Sequence, residues 1–336
     1  GTRPVFIDAL SFRPYIEGEH WLAHRQFCEQ FLNPLLLYAK LGIPFNAWYR
    51  GSLEGIPADQ LSSALSLQDK LSLRTLSHVT LPAKVQAGGD KTAQAASAAK
   101  QRGLPQSRYA AILVQLRDWI SGLTPKGTND TVWRNYASDN TYGDAEASAK
   151  HDFIAKFVSD RQPKVTLDLG CNTGAYSDTA LRAGAEYAIG VDADHGALEA
   201  GFLQHADDQR YLPLYQDAAN PSPGIGWHNR ERRPLTARCS DVDAVFALAF
   251  EHHLAIAKNV PFDHFVDWIM DLAPEGIIEF VPKSDPTVQQ MLALREDIFD
   301  DYTEENFRAA ISKRANIVNA EKVTHTDRVL MQFARK

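Results

Sequence analysis

No stretch of the 336 residues holds the run of about 18 apolar side chains that a membrane-crossing helix needs. No signal-peptide pattern opens the chain either, so a cytoplasmic protein with no membrane partner is expected. Cysteine is scarce. Cys28, Cys171 and Cys239 are odd in number and far apart, which argues against a disulfide framework and for reduced thiols. There is no CxxC pair and no His/Cys ladder of the kind that builds structural zinc, so no metal is expected. A basic excess is missing too: 35 Lys and Arg face 42 Asp and Glu, a net charge of −7, whereas nucleic-acid binders usually carry a basic footprint. Nucleic acid is therefore disfavoured as a partner. Bulky apolar residues are lacking over 84–106, KVQAGGDKTAQAASAAKQRGLPQ, which cannot bury enough surface to offset its ordering entropy and reads as a flexible linker.

What is present suffices for a large core, since 44% of the chain is hydrophobic and its length suits two domains or one decorated domain. Residues 1–83 open on an alternation (Val5, Ile7) that reads as a strand. They continue with apolar residues at helical spacing (Phe27, Phe31, Leu35, Leu36), with Pro34 as a break. Another helix is expected after Pro57, giving a partial, mainly helical N-terminal domain. Residues 107–163 read as a helical lid or lead-in, with helices over 107–123 and 144–159 around a turn-rich stretch carrying Trp133, Tyr136 and Tyr142. From 164 to 336 the periods alternate as βαβα. Strands are expected over 165–169, 187–191, 212–215, 242–246, 276–281, 318–323 and 328–333. Such alternation implies an α/β fold with a doubly wound, mostly parallel seven-stranded sheet, closed by a hairpin around 324–327.

The stretch 164–177, KVTLDLGCNTGAYS, reads as a buried strand ending in an acid, a Gly-rich turn and a helix start. A dinucleotide fingerprint wants Gly at the first, third and sixth turn positions. Those positions hold Gly170, Asn172 and Ala175, so an NAD-dependent oxidoreductase fits poorly. The pattern Asp168-x-Gly170-x-Asn172-x-Gly174 resembles the first motif of class I S-adenosylmethionine-dependent methyltransferases. It departs at Asn172, where many members have glycine; Asn tolerates left-handed backbone, so the loop can form. The segment FIDALSFRPYIEGEHWLAHRQFCEQFLNPLLL is similar to the N-terminal part of bacterial proteins grouped with a nodulation host-specificity methyltransferase.

In open α/β sheets ligands bind at the carboxyl ends of strands. Asp168, Asp192 and Asp217 fall there in order, and the 24 residues (192 − 168) from the first to the second suit an acid that reaches a ribose. The resemblance implies S-adenosyl-L-methionine as cofactor, leaving as S-adenosyl-L-homocysteine. Asp168, Gly170, Cys171, Asn172 and Gly174 would meet its methionine part, Asp192 and Ala193 the ribose, and Asp217 and Ala218 the adenine, with Ala247 and Tyr136 completing the site.

After strand four come Glu251, His252 and His253. Methyl transfer depends largely on in-line positioning, and a base is needed only for a weakly nucleophilic acceptor, for which His253, then His252, is the candidate. The turn lacks the Asn/Asp-Pro-Pro-Tyr/Phe form of amide and exocyclic-amine methylators. Pro- and Gly-rich residues 220–238 read as a functional loop. Its Trp227, Asn229, Arg230, Arg232 and Arg233 are expected toward the acceptor, joined by Glu279 and Lys283 after strand five. The expected activity is methyl transfer to an unidentified acceptor, small molecule or protein rather than nucleic acid; the alternative is a cofactor-binding pseudoenzyme or regulatory module whose N-terminal part recruits a partner. Sequence does not give the oligomeric state.

Overall fold

The computed structural model describes residues 12–87, 103–128, 131, 144–293, 295–323 and 327–336. The expected strand at Val5 and Ile7, Trp133, Tyr136, Tyr142, most of the linker and the turn at 324–326 lie outside the described residues. Among the described residues, one compact unit takes the chain up to 127 together with 225–232, and the other takes the rest.

The larger unit is built on one seven-stranded sheet in the order β3-β2-β1-β4-β5-β7-β6. Its strands are β1 (Val165–Leu169), β2 (Tyr187–Asp192), β3 (Tyr211–Tyr215), β4 (Ala244–Ala247), β5 (Glu275–Phe280), β6 (Ala315–Val323) and β7 (Arg328–Arg335). The first five run parallel, β7 pairs antiparallel with β5, and β6 pairs antiparallel with β7. Strands of a parallel sheet are covered on both faces and so read as unbroken apolar runs. β4, AVFA, is buried at every position, and β1 from its second residue on. The seven expected strands and the closing hairpin are all found, each within a few residues of its expected ends.

Helices cover both faces. Helix Phe262–Leu272 buries Phe265, Val266, Ile269, Met270 and Leu272 against one face. At roughly 1.5–3 kcal/mol per fully buried side chain, that face outweighs any intrinsic helix propensity. Helix Asp144–Arg161 lays Phe153, Ile154, Phe157 and Val158 on the other face, beside Ala180 of helix Ala175–Ala183. Strand order reverses between β1 and β4, which opens a crevice at their carboxyl ends, the usual ligand position of such sheets.

The smaller unit is helical. Its core joins Cys28, Leu32, Leu36, Leu37, Ile56, Leu61 and Val79 to Leu116 and Trp119 of helix Gln106–Ser121. This changes the expected boundaries. The helix anticipated as part of a lead-in over 107–163 gives its apolar stripe to the N-terminal core, so that unit runs to 127, and helix Asp144–Arg161 belongs with the sheet.

Candidate functional site

The turn after β1 is set by three left-handed residues, Gly170 at φ +71°, Asn172 at +50° and Gly174 at +90°. Gly170 has no room for a side chain, because a Cβ there would lie 2.8 Å from Cδ2 of Phe250. Asn172 takes the conformation expected of it, and its Oδ1 accepts from the Thr173 N–H at 2.8 Å. The N–H groups of Gly170 and Cys171 both donate to the Val191 carbonyl, at 2.8 and 3.1 Å, which ties the turn to the end of β2.

Asp192 pins the same turn from the side. Its Oδ2 accepts from the Asn172 N–H at 2.9 Å and its Oδ1 from the Asp194 N–H at 2.8 Å. A carboxylate has about four acceptor positions, so each oxygen keeps capacity for a further donor. Asp217 at the end of β3 accepts from the Ala219 N–H at 2.9 Å. Asp168 sits beneath the turn, 1% exposed, where it accepts from the Ser177 hydroxyl at 2.7 Å. Burial pushes its carboxyl up to about 6, and burial raises Asp192 as well.

These elements enclose a cavity of about 590 Å³. It gathers Gly170, Cys171, Asn172, Asp192, Ala193, Asp217, Ala218, His252 and His253 from the sequence expectations. Asp168, Gly174 and Ala247 are not in its wall. Asp168 and Ala247 are buried, and Gly174, the residue before helix Ala175–Ala183, abuts Tyr211, whose hydroxyl would lie 2.6 Å from a Cβ there. Gln216, Phe250, Leu248 and Tyr176 also line the cavity, and sequence reasoning missed them. Gln216 adjoins Asp217 in sequence, so strand-end position could have found it; Phe250 carries no such signal.

His253 is the half-buried member of the pair, its ring 4.3 Å from that of His252. Burial, then the neighbouring His252 and Arg328, pushes its imidazole down to about 3, so it is neutral near pH 7. His252 is buried, with Nδ1 3.6 Å from Oε2 of Glu251. Glu251 in turn accepts from the Val281 N–H at 2.7 Å and lies 2.9 Å from the Tyr302 hydroxyl.

Of the residues expected toward the acceptor, Glu279 and Lys283 do not line the cavity. Glu279 is wholly buried, 2.8 Å from Lys150 Nζ and 3.6 Å from Arg328 Nη1, and accepts from the Ala249 N–H at 2.7 Å. It is therefore a support under the turn after β4, holding Ala249 at φ +47° on the cavity wall. Lys283 pairs with Asp297 at the surface. Trp227, Asn229 and Arg230 belong to the segment that groups with the N-terminal unit. In that segment Ile225 bridges to Arg232, Arg232 Nη2 donates to the Tyr49 carbonyl at 2.6 Å, and Trp227 is 84% exposed. Among the described residues, no helix is long and apolar enough to cross a membrane.

No family model matches the chain. Similarity to a tRNA U34 carboxymethyltransferase of Pseudomonas aeruginosa is 26% over 172 residues, half of this chain and 46% of that protein. The crystal structure of the N-methyltransferase NodS from Bradyrhizobium japonicum WM9 with S-adenosyl-L-homocysteine superposes on 62% of this chain and 93% of its own, at 14% identity and a TM-score of 0.42. The nodulation protein NoeA of Rhizobium meliloti (strain 1021) is 48% identical over 337 residues, all of this chain and 71% of that protein. With that identity along its whole length, the chain belongs to the family of the nodulation protein NoeA.

Proposed function

We propose that the cavity at the carboxyl ends of β1–β4 binds S-adenosyl-L-methionine and that the chain transfers its methyl group to a small-molecule or protein acceptor. The observation that carries this reading is the joint placement of a left-handed loop after β1 and half-buried acids after β2 and β3 around one cavity. The donor set suits the group: Asp192 is held by two backbone N–H groups and retains acceptor positions for ribose hydroxyls, while Asp217 and Gln216 stand at the end of the next strand for the base. When bound, the cofactor supplies an electrophilic methyl on a sulfonium.

Everything else falls to the chain. Gly170, Ala249 and Phe250 shape the wall, and proximity itself is a large part of the rate. His253, neutral at pH 7, is a weak base, which favours an acceptor already nucleophilic at that pH. The same property supports a second reading, a cofactor-binding regulatory module without turnover. The net charge of −7 weighs against nucleic acid as acceptor. Calorimetric titration with S-adenosyl-L-methionine tests the cofactor. Asp192→Ala should weaken binding by about 1–3 kcal/mol, the scale of losing a buried hydrogen-bonding partner, and unchanged affinity would refute the ribose assignment. Release of S-adenosyl-L-homocysteine on addition of cell extract separates the two readings.

A further inference from the structure

The N-terminal unit contains a second chemical cluster. His24 and Cys28 are four residues apart on one helical run, and His78 reaches them from another segment. Nε2 of His24 lies 3.6 Å from Sγ of Cys28 and 2.9 Å from Nδ1 of His78, and the three ligand atoms all fall within 4.8 Å of one another. Around a tetrahedral ion with Zn–N near 2.0–2.1 Å and Zn–S near 2.3 Å, neighbouring ligand atoms stand roughly 3.3–3.6 Å apart. The His24–Cys28 separation already matches, and the imidazoles need to part by only a few tenths of an ångström.

The backbone and the surroundings favour the same use. Cys28 begins a π-helical turn, Cys28–Leu32, and His78 is central in another, Leu76–Thr80; these are the π-helical segments among the described residues. Such turns concentrate at functional sites because the extra residue re-aims a side chain. On its far side His78 Nε2 lies 3.3 Å from Oε1 of Gln115. An imidazole that donates one N–H to an oxygen presents its other nitrogen's lone pair, the arrangement that orients metal-ligating histidines. Trp21 and Trp119 flank the two rings at 5.4 and 6.1 Å, and Leu32 and Val79 are fully buried in the same core.

We propose that His24, Cys28 and His78 bind a zinc ion. One thiolate with two imidazoles suits this borderline-soft ion. Binding replaces the Cys28 S–H proton with the S–Zn bond and releases that proton to solvent. Three protein ligands leave the fourth tetrahedral position to water, as in exchangeable sites. The site was not legible from spacing, because His78 is 50 residues (78 − 28) beyond Cys28 and no ladder joins them.

The test uses the full chain, stripped with a chelator and titrated with Co²⁺ as a spectroscopic stand-in. One equivalent should produce a thiolate-to-cobalt charge-transfer band that Zn²⁺ abolishes. Cys28→Ser should lose the band, and Cys239→Ser, outside the cluster, should keep it. No saturable band in the wild-type chain, or a band retained in Cys28→Ser, overturns the site. Should Cys28→Ser fail to fold, Gln115→Leu at an exposed position decides: zinc affinity should fall by about 10- to 100-fold through loss of the orienting hydrogen bond, and unchanged affinity overturns the assignment.

Discussion

Replacing Glu279 with glutamine probes the support beneath the proposed cofactor cavity. The wild-type carboxylate is 0% exposed and faces Lys150 and Arg328, each 1% exposed, at 2.8 and 3.6 Å. Glutamine keeps the size and the carbonyl oxygen that accepts from the Ala249 N–H, but removes the charge. Taking one partner from a buried ionic cluster costs about 3–5 kcal/mol, because the remaining charges stay desolvated. Asp285 still holds Arg328 at 2.7 Å and Glu146 stands 3.9 Å from Lys150, so the lower end, about 3 kcal/mol, is expected. For a unit of this size each 1 kcal/mol lowers Tm by about 2–4 °C, so calorimetry should record a fall of about 6–12 °C for the sheet unit's transition, and urea unfolding a matching loss. Glu279→Ala should lose about 1–3 kcal/mol more, since the Ala249 N–H then goes unpaired. A loss below about 0.5 kcal/mol, ordinary for a surface change, would refute the buried network and restore Glu279 as a substrate-facing residue.

Gly170→Ala should weaken S-adenosyl-L-methionine binding and cost at least the ~1–2 kcal/mol of a side chain in left-handed backbone, because its Cβ meets Phe250; affinity and stability at wild-type level would mean that the turn relaxes freely. Asn172→Gly should preserve both, whereas Asn172→Val should lose stability in urea unfolding. His253 should make stability pH-dependent: its folded pKa of about 3 lies below the ordinary 6.5, so the unfolded chain takes the proton first and stability is lost as pH falls below about 6.5. Asp168, raised to about 6, acts with the opposite sign over roughly pH 6 to 4. The comparison is therefore wild type against His253→Gln, which should lose less stability between about pH 7 and 5; equal losses would place His253 in water.

The sheet was legible because parallel strands bury both faces, so 165–169 and 244–247 announce themselves as short apolar runs between turns. The loop was legible for a related reason: only Gly and a few small polar residues tolerate positive φ, and Asn172 fills the one position where glycine was missing. Glu279 was misread because an acid at a strand end has the same one-dimensional signature whether it faces a cavity or a buried Lys and Arg. Lys150 and Arg328, its partners, sit on a distant helix and on the last strand. That the segment 225–232 groups with the N-terminal unit was not legible, because its arginines and tryptophan say nothing of which core they join. Ala249 carries a positive φ that no propensity foretells, and its N–H donates to the buried Glu279 carboxylate.

What the cavity of the sheet unit binds decides the proposed function. Parallel calorimetric titrations of the wild-type chain with S-adenosyl-L-methionine and with NAD address it directly. Saturable one-site binding of S-adenosyl-L-methionine, weakened by Asp192→Ala, with much weaker NAD binding, is the predicted result. Tighter binding of NAD, or S-adenosyl-L-methionine binding indifferent to Asp192, would contradict it.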